Sequence, residues 1–445
     1  MIRALIIIFF TCACTFVRAQ VDIITTISGN GLPTGGYCCD SELAIHAILN
    51  YPFSLRPNSL GDIIFSDAFN QRIRKIDHST GIITTIAGTG VGGYSGDSGL
   101  AVNAQLFLPS GIIIDSHDNI YLADAGNMVV RKIDGATNII TTIAGNGISG
   151  DFGDNGLAIN AQLNGPCGLC FDKFGNIIIA DEHNNKIRKV DISTGIITTI
   201  AGTGIMGYSG DSALAINAEL NRPGLLSIDS LGSVFFSDVY NSVIRKIDVS
   251  TGIITTIAGN GTSGFFCDNG QAIDAEFWLP IGLFIDKQQN IYIADDENGA
   301  VRKINASTGV ITTIAGIGVP GYSGDNGPAT SAQVIPTDIF FDSAGNMFIA
   351  DAGNNSIRKV NNATGVSTVI NLPEEVNVYP NPASEQLTIT STSIIKRMEI
   401  CNFLGQTINS NEYYNKMVQV DISALPTGVY LIRVNGAEVR KFVKE

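Results

Sequence analysis

The chain has 445 residues, of which 44% are hydrophobic and 15% charged, a composition typical of a globular protein with ample length for a core. Its formal net charge is −14 at pH 7. This balance excludes nucleic acid from the expected partners, because neutralising phosphates requires a face rich in Lys and Arg. The chain has only four histidines, so a zinc site built from several of them is not expected. We expect neither a metal nor a cofactor.

The first 19 residues predict a secretory signal peptide. An early arginine is followed by an apolar run, Ala4–Phe10, and by the small-residue site Val17–Ala19. The apolar run is too short to cross a bilayer, and no later stretch is a candidate membrane span. Lipid attachment at Cys12 or Cys14 is the minor alternative, because neither cysteine follows a convincing lipobox. We expect cleavage after Ala19 and export.

A repeat of 57 residues organises most of the chain. Its marker is the aspartate that closes a G-x-x-[GC]-D step, and consecutive copies (97 − 40, for example) are 57 positions apart. The six copies are Asp40, Asp97, Asp154, Asp211, Asp268 and Asp325. Such a period is the signature of a repeat architecture, in which each copy is one supersecondary unit.

Each repeat contains four short strands rich in Val, Ile and Thr, separated by tight turns. In one unit we predict strands at Gly111–Ile114, Asn119–Ala123, Met128–Ile133 and Ile139–Ala144. A single four-stranded sheet cannot bury both faces, but a ring of such sheets can. Complete triplets of strands occur six times, with turns near Asp77, Asp134, Asp191, Asp248, Asn305 and Asn361. The fold class is therefore all-β, and the predicted architecture is a six-bladed β-propeller.

Two segments compete for the fourth strand of the sixth blade. Ile23–Ile27 copies this strand at the start of the mature chain, and Val366–Ile370 copies it at the end of the repeats. A propeller closes when one terminus completes the blade that the other terminus began. We expect the local hairpin with Val366–Ile370 to close the ring and Ile23–Ile27 to pack beside it.

The repeat motifs resemble those of NHL repeats. Pro280–Asp286 gives P-x-G-Φ-x-Φ-D, Asn290–Asp295 gives N-Φ-Y-Φ-A-D, and Asn298–Asn305 gives N-x-x-Φ-R-K-Φ-N, where Φ is apolar. The resemblance extends from Val21 to about Asn371 and implies a six-bladed propeller, in agreement with the strand count. It implies no single activity, because some members bind protein or RNA and some relatives are lyases with metal-binding histidines in the central channel.

Residues 372–445 predict a separate small β-sandwich with short alternating strands. They resemble the C-terminal sorting domain of the bacterial type IX secretion system. The matching residues include Tyr379, Pro380, Asn381, Pro382, Gly428, Tyr430, Lys441 and Lys444. The expected domains are thus a signal peptide at 1–19, a propeller at 20–371 and a sorting domain at 372–445. The resemblance implies the type IX secretion machinery as a partner, and release from the cell or attachment at its surface.

One Asp–Arg pair recurs in every repeat. The aspartate ends the second strand and the arginine lies in the third, and we expect each pair to be a structural latch because a buried arginine needs a partner. A ring of carboxylates for catalysis or Ca²⁺ is the alternative. The pairs are Asp67 and Arg74, Asp124 and Arg131, Asp181 and Arg188, Asp238 and Arg245, Asp295 and Arg302, and Asp351 and Arg358.

Residues that differ between repeats are the better candidates for function. The connections from the second to the third strand and from the fourth to the first strand emerge on one face. Blades three to five there carry Glu182, His183, Arg222, Tyr240, Trp278, Asp296 and Glu297, and the same face also has Tyr51, Phe53 and Phe107. An aromatic and charged rim suits a ligand or partner site. Ordinary surface variation is the alternative.

The sequence favours a secreted or cell-surface recognition module for an unknown protein or glycan ligand. The alternative is an extracellular propeller enzyme of the lyase or lactonase type. A converging set of His, Asp and Glu would favour the enzyme, and the repeat geometry predicts none. After signal removal six cysteines remain, and we expect them to be mostly buried small hydrophobic residues without a disulfide framework.

Overall fold

The structure is a computed structural model that describes residues 22–31, 34–361, 377–379, 382–402, 407–434 and 438–444. The chain divides into two compact units, Met1–Gly365 and Val366–Glu445. The predicted signal peptide and the strand copy Val366–Ile370 lie outside the described residues. All six repeats belong to the first unit, and the strands that follow them belong to the second.

In residues 22–31 and 34–361, the described part of the first unit, there are 25 short strands. The first strand is β1 (Ile23–Ser28). Blade one contains β2 (Pro52–Pro57), β3 (Ile63–Asp67), β4 (Arg72–Ile76) and β5 (Ile83–Ala87). Blade two contains β6 (Pro109–Ile114), β7 (Ile120–Asp124), β8 (Val129–Ile133) and β9 (Ile140–Ala144). Blade three contains β10 (Pro166–Phe171), β11 (Ile177–Asp181), β12 (Lys186–Val190) and β13 (Ile197–Ala201).

The later blades repeat this arrangement. Blade four contains β14 (Pro223–Ile228), β15 (Val234–Asp238), β16 (Val243–Ile247) and β17 (Ile254–Ala258). Blade five contains β18 (Pro280–Ile285), β19 (Ile291–Asp295), β20 (Ala300–Ile304) and β21 (Ile311–Gly316). Blade six contains β22 (Gly327–Pro328), β23 (Asp338–Phe341), β24 (Met347–Asp351) and β25 (Ser356–Asn361).

Short 3₁₀ turns occupy two recurrent places. One series lies in the long loops between blades, at Ala44–His46, Ala101–Asn103, Ala158–Asn160, Ala215–Asn217, Ala272–Asp274 and Ala329–Ser331. The other follows the second strand, at Ala68–Asn70, Ala125–Asn127, Glu182–Asn184, Val239–Asn241 and Ala352–Asn354. The second series positions the residues that vary between blades.

The blades form a closed ring. Their innermost strands contact one another in the order β2, β6, β10, β14, β18, β23 and back to β2. Six apolar clusters fill the six spaces between neighbouring blades, for example Ile113 and Tyr121 of blade two against Leu169 and Ile177 of blade three. The second strands are buried along their whole length, because both faces of each sheet are covered by neighbours. The all-β propeller predicted from the sequence is confirmed.

The N-terminal strand closes the ring, which corrects the expectation from the sequence. In the sixth sheet the order is β22-β1-β25-β24-β23, so β1 takes the place of the fourth strand. Thr25 pairs with Lys359 and Ile24 with Val360, as Thr84 pairs with Lys75 and Ile83 with Ile76 in blade one. Ile24 is fully buried between blades five and six. The expected local hairpin is therefore replaced by a strand from the other end of the propeller.

Blades six and one also differ from the others at the channel. At three of the contacts between inner strands a glycine approaches the next blade so closely that a Cβ would collide with its backbone: Gly111, Gly168 and Gly282. At the contact between blades six and one, which closes the ring, the residues equivalent to these glycines are Ser54 and Asp338. The buried Asp338 carboxylate accepts hydrogen bonds from Ser54 Oγ at 2.7 Å and from Arg56 Nη1 at 2.6 Å. A charged contact thus joins the two ends of the ring.

The second unit is a curled five-stranded sheet. Its strands are β26 (Asn377–Tyr379), β27 (Gln386–Asn402), β28 (Thr407–Asp421), β29 (Gly428–Val434) and β30 (Glu438–Lys444). The order is β26-β27-β29-β30, and β28 pairs with the long strand β27, whose register shifts let the sheet bend. The curl encloses one apolar core that includes Leu387, Ile400, Ile432 and Phe442.

The closing role of β1 is testable by substitution in the core. Ile24→Ala should lower the free energy of unfolding by about 2–5 kcal/mol, because the site cannot collapse around the missing methyl groups. Thr25→Ala, on the half-buried face of the same strand, should change it far less. Denaturant melts of the two variants check this, and an unchanged Ile24→Ala midpoint would show that β1 does not complete blade six.

Candidate ligand-binding mouth of the propeller

Each blade holds one fully buried arginine between two carboxylates. The arginine Nη atoms lie 3.1–3.5 Å from the aspartate that ends the second strand. They lie 2.6–2.9 Å from the aspartate that marks the repeat. The sequence predicted only the longer pair, and the second aspartate was recognisable there solely as the marker of the repeat. The sets are Asp40–Arg74–Asp67, Asp97–Arg131–Asp124, Asp154–Arg188–Asp181, Asp211–Arg245–Asp238, Asp268–Arg302–Asp295 and Asp325–Arg358–Asp351.

The aspartate of the second strand also holds the loops at one end of the blade. In blade three Asp181 Oδ1 accepts the backbone N–H of Asn164 at 2.7 Å, and Asp181 Oδ2 accepts Asn184 Nδ2 at 2.8 Å. Asn184 in turn donates to the carbonyl of Gly150. Equivalent bonds occur in the other five blades. We call each aspartate–arginine–asparagine group a hub, because it connects two loops to the sheet.

Burial outweighs the arginine in setting the pKa of these aspartates. Desolvation raises the pKa of Asp67, Asp124, Asp238 and Asp351 to about 6 and that of Asp295 to about 7. The hydrogen bonds from the asparagine and the loop N–H act in the opposite direction, as does the arginine charge. The hub therefore allows carboxylates to be buried at a place where a charge without partners would lower the stability of the fold.

Two loops per blade form the mouth, which we define as the residues before each inner-strand proline together with the turn after each second strand. Backbone hydrogen bonds join the two loops, for example His183 N–H to the Asn164 carbonyl and Glu297 N–H to the Trp278 carbonyl. The residue before the proline has a positive φ in five blades: Tyr51, Leu108, Gly165, Arg222 and Leu279. A positive φ is strained for residues with a side chain, so the hub imposes this geometry.

In blades three and four the mouth carries a charged cluster. Glu182 Oε1 lies 3.7 Å from His183 Nε2 and 3.8 Å from an Arg222 guanidinium nitrogen. The Arg222 guanidinium lies 4.9 Å from the centre of the exposed Tyr240 ring. His183 lies over Gly165, where a Cβ would collide with its imidazole. Burial raises the pKa of Glu182, while His183 and Arg222 act to lower it.

Aromatic rings occupy much of the remaining mouth. Tyr51 stacks on Phe69 with ring centres 4.9 Å apart and lies 6.2 Å from Phe53. Trp278 and Phe107 are 47% and 41% exposed, so their rings are available to a ligand. All the predicted rim residues are exposed or half-exposed except Asp296, which is buried and only 7% exposed.

Asp296 has no visible partner for its charge. Its Oδ1 atom is buried without a hydrogen bond in the described part of the chain. Burial raises its pKa to about 7, and the negative charges of Glu297, Asp295 and Asp351 add to the effect. Burial also raises the pKa of the Tyr51 hydroxyl, and Asp296 is the first charged group that adds to this shift.

The described residues contain no group of three His, Cys, Asp or Glu side chains that could hold a metal ion. Cys167, Cys170 and Cys401 are buried and Cys267 is half-buried, without a disulfide. The expectation for the remaining two cysteines is wrong, because Cys38 and Cys39 form a disulfide between adjacent residues. The Cys38 carbonyl accepts a hydrogen bond from Arg74, so this disulfide adjoins the hub of blade one.

Comparison with known proteins agrees with this architecture. Residues 377–445 match the family model of the secretion system C-terminal sorting domain. NHL repeat-containing protein 2 of Homo sapiens is 25% identical over 299 residues, which cover 59% of this chain and 40% of that protein. The chain thus joins a propeller, with NHL-repeat proteins among its relatives, to a C-terminal sorting domain.

Two further proteins are similar to this chain. SUPPRESSOR OF QUENCHING 1 of Arabidopsis thaliana, a chloroplastic protein, is 26% identical over 345 residues, covering 75% of this chain and 32% of that protein. The chain thus spans well under half of either curated relative. An auxiliary nutrient binding protein from Bacteroides thetaiotaomicron VPI-5482 has the same fold, with a TM-score of 0.56 and 16% identity over 78% of this chain and 77% of that one.

Five of the eight predicted sorting residues lie on strands of the second unit. Tyr379 lies in β26, Gly428 and Tyr430 in β29, and Lys441 and Lys444 in β30. Tyr430 donates its hydroxyl to the Pro426 carbonyl at 2.8 Å. Pro382 is exposed, whereas Pro380 and Asn381 lie outside the described residues. Within the part of the chain that the structure describes, every helical segment is too short to span a bilayer.

The face opposite the mouth has two cavities beside blade six. One, of about 750 Å³, is lined by Phe284, Tyr292 and Phe341 together with Asp286 and Lys303. The other, of about 700 Å³, lies between blades six and one near Pro57 and His78. His78 and His117 are in turns of this face, so neither reaches His183 at the mouth.

Replacing the arginine of a hub should lower the free energy of unfolding more than replacing a residue of the mouth loops that the hub holds. Arg188→Ala leaves two carboxylates without their cation, and we expect a loss of about 3–5 kcal/mol in the free energy of unfolding. His183→Ala should cost no more than about 0.5–1 kcal/mol, because its side chain is partly exposed and replaceable. Denaturant melts decide this, and equal losses would mean that His183 belongs to the core.

Proposed function

We propose that the protein is an exported recognition module whose propeller mouth binds a protein or glycan ligand. One observation carries the proposal: the hubs recur in all six blades, whereas the mouth loops that they hold carry different residues in each. The charged side chains are concentrated in blades three to five, the aromatic ones extend around blades one, two, four and five, and several of both remain exposed on a rigid support. Binding sites favour such side chains on loops that a scaffold fixes.

The sorting domain supports export. It implies recognition by the type IX secretion machinery, passage across the outer membrane, and either release or attachment at the cell surface. The adjacent-cysteine disulfide fits this route, because disulfides persist in oxidising compartments. We keep 20–371 as the proposed extent of the propeller and 372–445 as that of the sorting domain.

An extracellular enzyme of the lyase or lactonase type is the second candidate. It would need acid and base groups that converge on a substrate in the channel. Glu182 and His183 are the nearest approach to such a pair, but Arg222 lies on the same carboxylate and a hydrogen bond is not formed at 3.7 Å. Binding therefore accounts better for the mouth than catalysis does.

Mouth variants should separate binding from stability. We expect His183→Ala and Trp278→Ala to weaken a ligand found on glycan or protein arrays, with melting temperatures close to that of the unchanged protein. Phe174→Ala is the matched control, because Phe174 is a 72% exposed aromatic residue in a turn of the opposite face. If the control reduces binding as much as Trp278→Ala, the ligand does not bind at the mouth.

Export should depend on the last strand. Deleting Arg440–Glu445 removes Phe442, which is fully buried in the core of the sorting domain, so we expect the protein to accumulate in the periplasm. Replacing Tyr379–Pro382 should have the same effect. Val429→Ala, at a 43% exposed position of β29, should be exported normally. Cell fractionation with immunoblotting measures this, and normal export of the deletion would contradict the sorting assignment.

A further inference from the structure

The most unusual side chain of the mouth is that of Asp296. It is 7% exposed, and its Oδ1 atom has no hydrogen-bond partner among the described residues. Among the described residues no lysine, arginine or histidine forms an ion pair with it, and no positive charge contributes to its pKa. The charges that act on it are all negative: Glu297 from its own loop, Asp295 from the end of β19 and Asp351 from blade six. A buried carboxylate in this position lowers stability unless something neutralises it.

The fold does not require an acid at this position. The equivalent residues are Ala68, Ala125, Val239 and Ala352 in blades one, two, four and six, and Glu182 in blade three. Glu182 differs because Arg222 and His183 lie within 4 Å of its carboxylate. Blade five thus has a buried carboxylate at a position where four other blades have an uncharged residue. In blade three the equivalent carboxylate is neutralised by neighbouring side chains of the same chain.

The repeat places this side chain at the opening of the channel. In blade four the Val239 side chain lies 2.9 Å from where a Cβ on Gly224 would be, and Gly224 is the second residue of an inner strand. By equivalence Asp296 faces the start of β18, the inner strand of blade five. Tyr51 directly precedes the inner-strand proline of blade one, so it lies at the same mouth as Asp296.

We infer that Asp296 and the Tyr51 hydroxyl bind the ammonium group of a lysine side chain from a partner polypeptide. This inference rests on the proposed function of the mouth and names its ligand chemistry. The ammonium group supplies the cation that Asp296 lacks, and the faces of Tyr51 and Phe69 offer cation–π and apolar contact. A lysine has a narrow methylene stem, which reaches a carboxylate that is more than nine-tenths buried.

Charge at longer range favours the same partner. The chain has a formal net charge of −14, and Glu297 adds an exposed carboxylate beside Asp296. Basic polypeptide segments are therefore attracted to the protein before they reach the mouth. Trp278, 47% exposed two residues before the inner-strand proline, supplies the kind of aromatic anchor that protein interfaces use.

Binding should depend on pH in a defined direction. The pKa of Asp296 is raised to about 7 by burial and by Glu297, Asp295 and Asp351, so at lower pH the carboxyl group is protonated and neutral. A lysine ammonium binds the ionised form, and affinity should increase as the pH rises from about 6 to about 8. Asp296→Asn should bind weakly at every pH in this range.

The experiment uses the exported full chain and two peptide libraries with one fixed central residue, lysine in the first and acetyl-lysine in the second. We expect retention of the lysine library and loss of about tenfold or more in affinity when that lysine is acetylated or Asp296 is replaced by Ala or Asn. Glu42→Gln is the control for net charge, because Glu42 is exposed at the outer edge of blade one. The affinity of the Glu42→Gln variant for the lysine library should stay within about twofold of that of the unchanged protein.

Thermal melts provide an independent readout. Asp296→Ala introduces the residue of blades one, two and six, so we expect a higher melting temperature without peptide. A lower one would identify Asp296 as a structural residue and overturn the inference, as would peptide binding that is insensitive to Asp296 or absent. Displacement of the peptides by glucosamine, but not by N-acetylglucosamine, would assign the site to amino sugars instead. If an array ligand requires Trp278 but not Asp296, the proposed function stands and this inference fails.

Discussion

The propeller depends on burying six permanently charged arginines. An arginine cannot lose its charge inside a protein, so each blade must bring carboxylates to it. One carboxylate comes from the end of the second strand and the other from the loop that precedes the blade, as with Asp181 and Asp154 around Arg188. The same second-strand aspartate fixes the mouth loops. Stability and the geometry of the candidate site therefore rest on one group of atoms in each blade.

Much of the fold can be predicted from the sequence because each repeat has the same pattern of apolar runs and turn residues. Strand ends predicted for blade two differ from the observed ones by at most two residues, since turn residues bound each apolar run. Closure was predicted wrongly because two segments have similar composition. The distinction lies in one position: Ile24 and Ile83 are fully buried, whereas Ser367 stands at the equivalent place in the C-terminal copy. Comparing each column of the repeat with its burial requirement could have identified β1.

The site was predictable in location but not in detail. Departures from the repeat identified the mouth, yet the spacing gave no sign that Asp40 or Asp154 would contact the buried arginines more closely than Asp67 or Asp181 do. The burial of Asp296 could have been predicted from the equivalent residues Ala68, Val239 and Ala352, because apolar side chains at this position indicate an enclosed environment. The link between Ser54, Arg56 and Asp338 arises only when the two ends of the ring meet, and no local pattern predicts it.

Closure by β1 sets the order in which the protein can be completed. Thr25 and its partner Lys359 are 334 positions apart, so the first strand to leave the ribosome must wait for the last one before its blade exists. Until β25 has been synthesised, β1 is a strand edge without a sheet to join. The ring therefore cannot close before almost the whole propeller sequence is present.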